Sequence, residues 1–415
     1  MSLPPMKTSS FPLLLGSLSL FFFADVTPTD ARGWVDSTGR KVEAEMVRVN
    51  GDNVVLKLSN GRELPYPIAK LSDDDQKFIK SEQAKAPSGL AATPAEEPEF
   101  KMPDVNNMPK PEAWPKSVSV DVTQDVEELP ESKEGAWVYE TKNFRFYSNA
   151  KLGKNVITEF SRLFEVVHAA IDQAPYPLLR EESKGKKHVV RLFESSAQYM
   201  KAGGLPGSAG VFIGRTKEVL VPLDSLGVKR VGSRFSIESR DENQTLIHEI
   251  VHQLTWHWPL GQWWAEGLAD FISGAGYGPG RLHFSSHARS LREYLKERKG
   301  VWDEDYTAVH PADLLVITNA QWNKMLAGKN NVGIKNYASS AMLMYFFMHL
   351  DGDGDGSPML AYMHAVRAGM GKDEAAKTFL LRGRTTDELA KDMAKGWRRY
   401  SLKLQFHPPT LSASE

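Results

Sequence analysis

Apolar and polar positions alternate near the start of the chain and later recur at helical spacing. Val42, Ala44, Met46 and Val47, and then Val54 to Leu58, read as short strands. Between and after them stand Asn50-Gly51-Asp52 and Asn60-Gly61, steps that favour tight hairpins. Ile68 and Leu71 follow, and Ser72-Asp73-Asp74-Asp75-Gln76 opens a short helix with its acidic residues in the first turn. Residues 32–82 therefore predict a small unit with one core, of the SH3-like β-barrel kind. Periodicity then disappears. Residues 83–133 carry Pro87, Pro94, Pro98, Pro103, Pro109, Pro111 and Pro115 and read as a semi-extended linker. Within it, Trp114 and the alternating Val118, Val120 and Val122 form a candidate edge strand for the next domain.

From residue 134 to 408 the pattern predicts an α+β domain with a mainly helical C-terminal part. Strands are expected at Trp137 to Tyr139, Phe144 to Tyr147 and Val189 to Phe193. An amphipathic helix carries Val156, Ile157, Phe160, Leu163, Phe164, Val167 and Ile171 on one face, with His168 beside the stripe as a core or boundary residue. After Gly203-Gly204, Gly207 and Gly210, Val211-Phe212-Ile213 and Val219-Leu220-Val221 read as a hairpin. Residues 409–415 read as a disordered tail.

Composition narrows the functional classes. The chain has 415 residues, a formal net charge of −1 and no cysteine. No Lys/Arg-dense run favours nucleic acid, and neither disulfides nor thiolate metal sites are available. Lys7 precedes an apolar run from Phe11 to Phe23, of signal-peptide length and short for a membrane span. Residues 1–31 are therefore expected to act as a signal peptide for export to the periplasm or beyond, with an uncleaved N-terminal anchor as the alternative.

The chemistry concentrates in His248-Glu249-Ile250-Val251-His252 and the following Trp264-Ala265-Glu266-Gly267-Leu268-Ala269-Asp270. Asn243 to Ile247 contain no Gly or Pro and carry apolar residues at helical spacing, so the first motif lies on a buried helix. Residues i and i+4 on a helix stand one turn apart on the same side, about 6 Å between side-chain origins. His248 and His252 can thus present two imidazole nitrogens to one metal ion. Glu249 points about 100° away around the helix, where a general base for a metal-activated water belongs. Zinc in hydrolases usually takes three protein ligands, and Glu266 is the third. Pro259 and Gly261 break the chain between the two segments, allowing a second helix to return. Asp270, one turn beyond Glu266, is placed to accept the free N–H of a ligating histidine.

HEIVHQ with WWAEGLADF resembles the gluzincin clan of metallopeptidases, in its peptidase MA-like bacterial branch, over roughly residues 134 to 400. The resemblance implies one Zn2+ held by His248, His252 and Glu266, Glu249 as base, and Asp270 behind the ligands. It also implies an edge strand that holds substrate backbone by β-addition, for which Gly210 and Val211 are the candidates. Tyr337 opens a helix rich in small residues and is nominated as the oxyanion donor, as in the clan's aminopeptidases. The Gly-x-Met-x-Asn segment by which those aminopeptidases hold a substrate amino terminus is absent, with Ala209-Gly210-Val211-Phe212 in a comparable place. Endopeptidase activity is therefore favoured. Residues 32–82, from the Trp34 strand to Leu71-Ser72-x-x-Asp75, resemble the Sla-one homology domain, which implies a peptide or surface partner for that unit.

Three further features carry less. His283 and His287 share i,i+4 spacing, but no carboxylate completes a set, so a solvated helix face is expected. Asp351, Asp353 and Asp355 resemble the first half of a calcium loop, yet Tyr362 stands where a bidentate Glu is required. A polar loop between helices is preferred there, over weak Ca2+ binding. Trp256, Trp258, Trp263 and Trp264 suit either an apolar cleft wall or plain packing. The expected protein is an exported zinc peptidase acting on peptide or protein substrates. The alternatives are a catalytically silent zinc-binding scaffold and an anchoring protein acting through its N-terminal barrel.

Overall fold

The computed structural model describes residues 32–36, 41–50, 53–58, 63–85, 110–121, 126–130, 135–179, 185–232, 234–237, 243–300, 305–326 and 332–411. The expected leader at 1–31, the turns around Gly39, Gly51 and Gly61, and the linker prolines from Pro87 to Pro109 lie outside these residues. The chain divides into two units, residues 22–100 and a larger one containing residues 101–415.

In the smaller unit, strands β1 (Arg32–Val35), β2 (Lys41–Asn50), β3 (Asn53–Leu58) and β4 (Glu63–Pro67) form an antiparallel meander in sequence order. Helix α1 (Asp73–Lys85) follows. Among the described residues the sheet is open rather than the closed barrel expected. Its apolar face is instead covered by Leu71 and, from α1, Ile79, which join Trp34, Ala44, Val54 and Leu56 in one buried cluster. Local alternation specifies strands but not closure, and the helix removes the need for it. Asp75 is nearly buried and accepts from the Arg32 guanidinium at 2.6 Å, the Val35 N–H at 2.7 Å and the Ser72 hydroxyl at 2.9 Å. One acidic residue of the expected helix start thus fastens α1 to β1.

The larger unit begins inside the expected linker. Strand β5 (Ser117–Ser119) and strand β6 (Glu127–Leu129) precede β7 (Trp137–Glu140) and β8 (Phe144–Ser148). Helix α2 (Lys154–Asp172) leads to β9 (His188–Phe193), then helix α3 (Ser196–Lys201) to β10 (Val211–Ile213) and β11 (Glu218–Pro222). Six of these strands form a mixed sheet in the order β10-β11-β9-β8-β7-β6, parallel across β11, β9 and β8 and antiparallel elsewhere. The expected hairpin is β10–β11, and β10 is the sheet's edge. The apolar stripe of α2 is buried as its spacing required, and Phe164 packs edge-on against Phe144 and Phe146. His168 is half-buried, its ring edge-on to Phe144.

A hairpin of β12 (Val228–Val231) and β13 (Arg234–Ile237) precedes the helices α4 (Asn243–Thr255) and α5 (Gln262–Ser273). Strands β14 (Gly276–Gly278) and β15 (Arg281–His283) follow, and β15 pairs with β5, aligning Leu282 with Val118. The candidate edge strand therefore docks on this unit, and the linker ends before it. Helix α6 (His287–Lys299), strand β16 (Asp305–Ala308) and helices α7 (Pro311–Val316), α8 (Asn319–Leu326), α9 (Val332–His349), α10 (Ser357–Arg367), α11 (Lys372–Ala375) and α12 (Thr386–Arg398) complete the mainly helical part. Strand β17 (Lys403–Phe406) pairs with β16. The expected tail is anchored as far as Leu411, because the buried Asp313 carboxylate accepts the N–H groups of Thr410 and Leu411 at 2.8–3.0 Å.

His283 and His287 do not share a helix face. His283 ends β15 and is exposed, whereas His287 is buried at the start of α6 with Nε2 2.7 Å from the Phe271 carbonyl. Asp351 to Gly356 form the polar connection between α9 and α10. There Asp351 binds the guanidinium groups of Arg382 and Arg384 at 2.8–3.0 Å, and Asp355 lies 3.4 Å from the Lys110 ammonium. Protein cations already neutralise two of the three carboxylates named for Ca2+.

Candidate metal centre

Helix α4 runs with almost no solvent contact from Thr245 to Thr255. Gln253 ties it to the sheet, its side-chain amide donating to the carbonyls of Val189 and Lys217 at 2.8 and 2.9 Å. The chain leaves α4 through Trp258, whose N–H donates to the Thr255 carbonyl, and turns at Gly261 with φ 93°. Such a φ suits glycine, and α5 starts at the next residue. Helix α5 then lies against α9 closely enough that a Cβ on Gly267 would stand 2.7 Å from the Ser340 carbonyl oxygen.

This return brings the expected ligands together. His248 Nε2 lies 3.0 Å from both His252 Nε2 and Glu266 Oε2, and His252 Nε2 lies 3.3 Å from Glu266 Oε2. All three residues, and Glu249, are between 0 and 2 % exposed. The spacing fits a tetrahedral zinc. Bonds of about 2.0–2.1 Å to N and O donors imply ligand atoms about 3.3 Å apart. The donor chemistry fits too, since these residues are the one such His/Asp/Glu cluster among the described residues.

Electrostatics agree with a cation at this point. Burial opposes a charged His248, but Asp270 and Glu266 outweigh it and hold the imidazole pKa up at about 10. Burial likewise opposes a charged Glu266, and His252 and His248 outweigh it, drawing the carboxyl down to about 2. The cluster is thus built to gather positive charge at a buried point.

The surrounding residues fix the ligands. Asp270 Oδ1 stands 2.8 Å from His248 Nδ1, which leaves Nε2 as the nitrogen that faces His252 and Glu266 and could hold a metal. The same oxygen accepts from the Tyr294 hydroxyl at 2.7 Å and lies 3.5 Å from the Lys299 ammonium. Gln262 donates to Glu266 Oε1 at 2.8 Å, leaving Oε2 for the centre. Glu249 Oε2 accepts the Phe212 N–H at 2.9 Å, which joins α4 to the edge strand β10. Gly210 and Val211 are buried beside this contact, and a Cβ on Gly210 would lie 3.7 Å from Glu249 Cγ. The backbone group that meets Glu249 is that of Phe212, which follows Gly210 and Val211, the residues expected to hold substrate backbone.

Tyr337 is buried on α9 with its ring centroid 6.1 Å from that of His248 and 5.1 Å from that of Trp322. Its hydroxyl makes no hydrogen bond of ordinary geometry. Burial, and then the negative charge of Glu266, raise its pKa well above the usual phenol range, with the Trp322 indole opposing. It therefore stays a proton donor at neutral pH. Of the four tryptophans considered for a cleft wall, Trp258, Trp263 and Trp264 are core residues, while Trp256 is exposed beneath the Lys217 ammonium.

Gln262 was within reach of sequence reasoning, because it precedes Glu266 by one helical turn. Tyr294 and Lys299 were not, since only the packing of α6 on α5 brings them near Asp270.

No curated protein and no solved structure matches the chain. One family model does, over the N-terminal unit alone and short of the metal centre. Residues 24–86 are thereby identified as an SLA1 homology domain 1, SHD1.

Proposed function

We propose that this chain is an exported zinc-dependent peptidase whose larger unit has a gluzincin-like active site, with endopeptidase activity favoured over aminopeptidase activity. The observation that carries the reading is the convergence of His248, His252 and Glu266 on one buried point, with the Glu249 carboxylate on the next residue. When bound, zinc supplies Lewis acidity toward water and toward the scissile carbonyl. Glu249 takes a proton from the attacking water and returns it to the leaving amine. Asp270 keeps His248 in the tautomer that offers Nε2, and Gln262 orients Glu266. Tyr337 supplies a protonated hydroxyl for the developing oxyanion, a role often worth about 3–4 kcal/mol. Export rests on the apolar run from Phe11 to Phe23. The SHD1 unit acts as the peptide- or surface-binding module of the same protein.

The test measures metal content together with cleavage of a quenched peptide library, for wild type and Glu249→Gln. The proposal expects zinc near one per chain in both and cleavage in the wild type alone. Zinc in both with cleavage by neither favours a zinc-binding scaffold, and absence of zinc from the wild type overturns the ligand set.

A further inference from the structure

Three carboxylates, Glu249, Glu266 and Asp270, are buried within this centre, each 1 % exposed or less. A bound dication balances two of them, and burying the remaining negative charge without a partner is costly. A cation is present where the balance requires one. Lys299 is 8 % exposed, and its ammonium lies 3.5 Å from Asp270 Oδ1 and 4.3 Å from the centroid of the Tyr337 ring. It is the last residue of α6, where Gly300 in the left-handed region (φ 64°) ends the helix. The side chain thereby spans three helices: it leaves α6, pairs with a carboxylate of α5 and rests on the face of an aromatic ring of α9.

The geometry points to Lys299 as a positioning residue of the metal centre, holding Asp270 against His248 and Tyr337 over the site. Asp270 Oδ1 meets His248 Nδ1 and the Tyr294 hydroxyl at hydrogen-bond distance and pairs with the Lys299 ammonium, the one formal cation of the three when His248 serves as a neutral ligand. A carboxylate oriented by an ion pair keeps the His248 Nδ1–H engaged and its Nε2 aimed at the metal. The same ammonium lies against the π face of Tyr337, a contact favoured where water is excluded. The inference rests on the metal-centre reading above but not on peptidase chemistry.

The test is zinc affinity of the full-length protein, by competition with a chromogenic chelator. Lys299→Met, Lys299→Gln and Lys299→Arg are each measured alone, and Lys299→Met and Lys299→Gln also in an Asp270→Asn background. Either neutral variant is expected to weaken zinc binding by about 10- to 100-fold, the usual effect of losing such a supporting partner. Lys299→Arg should recover most of that loss. In the Asp270→Asn background the neutral substitutions should add nothing further. Lys299→Gln keeps a donor in the same space, so it remains informative if Lys299→Met does not fold. Unchanged or tighter zinc binding in a folded neutral variant overturns the inference, as does a loss that persists without the Asp270 charge. A wild-type protein that binds no zinc overturns the metal centre and this inference together, whereas normal wild-type binding with unaffected variants overturns this inference alone.

Discussion

The Phe212 N–H donates to Glu249 Oε2 across 37 residues of chain, at 2.9 Å. Phe212 lies on the edge strand, so this N–H leaves the ladder with β11 and points at the helix that carries Glu249. Proline is tolerated on edge strands at positions whose N–H is outside the ladder, and it favours an extended residue before it, as Val211 already is. Phe212→Pro therefore removes the donor and places a ring carbon against Glu249 without breaking a ladder bond. Phe212→Ala, which also loses the buried ring but keeps the N–H, is its control. In the proline variant zinc content should be unchanged, and kcat for peptide cleavage should fall about 100-fold, the scale expected for a displaced reacting group. A wild-type rate in this variant would show that the contact does not set the working position of Glu249.

Tyr337→Phe separates two roles of one hydroxyl. A buried hydroxyl without a hydrogen bond contributes nothing favourable to folding, so the thermal midpoint should stay level or rise. Loss of an oxyanion donor should lower kcat by about 100- to 1,000-fold with KM little changed. A fall in the midpoint with kcat intact would assign Tyr337 to packing.

The His248–His252–Glu266 cluster was legible because it is local. His248 and His252 share a helix face by spacing alone, and Glu266 needs only the turn at Gly261 to return beneath them. Features that depend on how distant elements pack were not legible. Nothing in the alternation of residues 32–67 distinguishes an open meander under α1 from a closed barrel. The alternation of Val118, Val120 and Val122 did announce an edge strand, but not its partner β15, whose Leu282 stands opposite the buried Val118. The His283–His287 pair misleads because a strand ends and a helix begins between them. Lys299 gives no signal at all, since only the seating of α6 brings it to Asp270.

Gly267 sets the separation of α5 and α9. A Cβ there would lie 2.7 Å from the carbonyl oxygen of Ser340 and 3.0 Å from its carbon, both backbone atoms that cannot rotate aside. Gly267→Ala should cost about 1–3 kcal/mol through overpacking, despite alanine's better helix propensity. It should also weaken zinc binding, because Glu266 is the adjacent residue and moves with its helix. Differential scanning calorimetry with and without zinc checks both, and a stabilised variant with unchanged zinc affinity would refute the close approach.

Acid sensitivity should arise away from the metal as well. Burial holds His188 down to about 4, with His168 adding to the effect, and burial alone brings His349 to about 4. Burial, and then His349, lower His287 to about 3 against the opposing pull of the Phe271 carbonyl. Each is neutral in the folded protein at pH values where the unfolded chain, with histidines near 6.5, already takes up protons. The unfolded state therefore binds more protons between about pH 6.5 and pH 4, and stability falls as pH drops through that window. The loss is on the order of a few kcal/mol per histidine at the acid end. His287→Gln keeps a donor for the Phe271 carbonyl but cannot titrate. Its thermal midpoint should start lower at pH 7.5, from lost ring packing, and then decline less steeply toward pH 4 than the wild type's. Both proteins are compared metal-free in chelator, so that protonation of the zinc ligands does not enter the difference. Parallel curves from pH 7.5 to pH 4 would show that His287 takes up its proton in the folded state as readily as in the unfolded one.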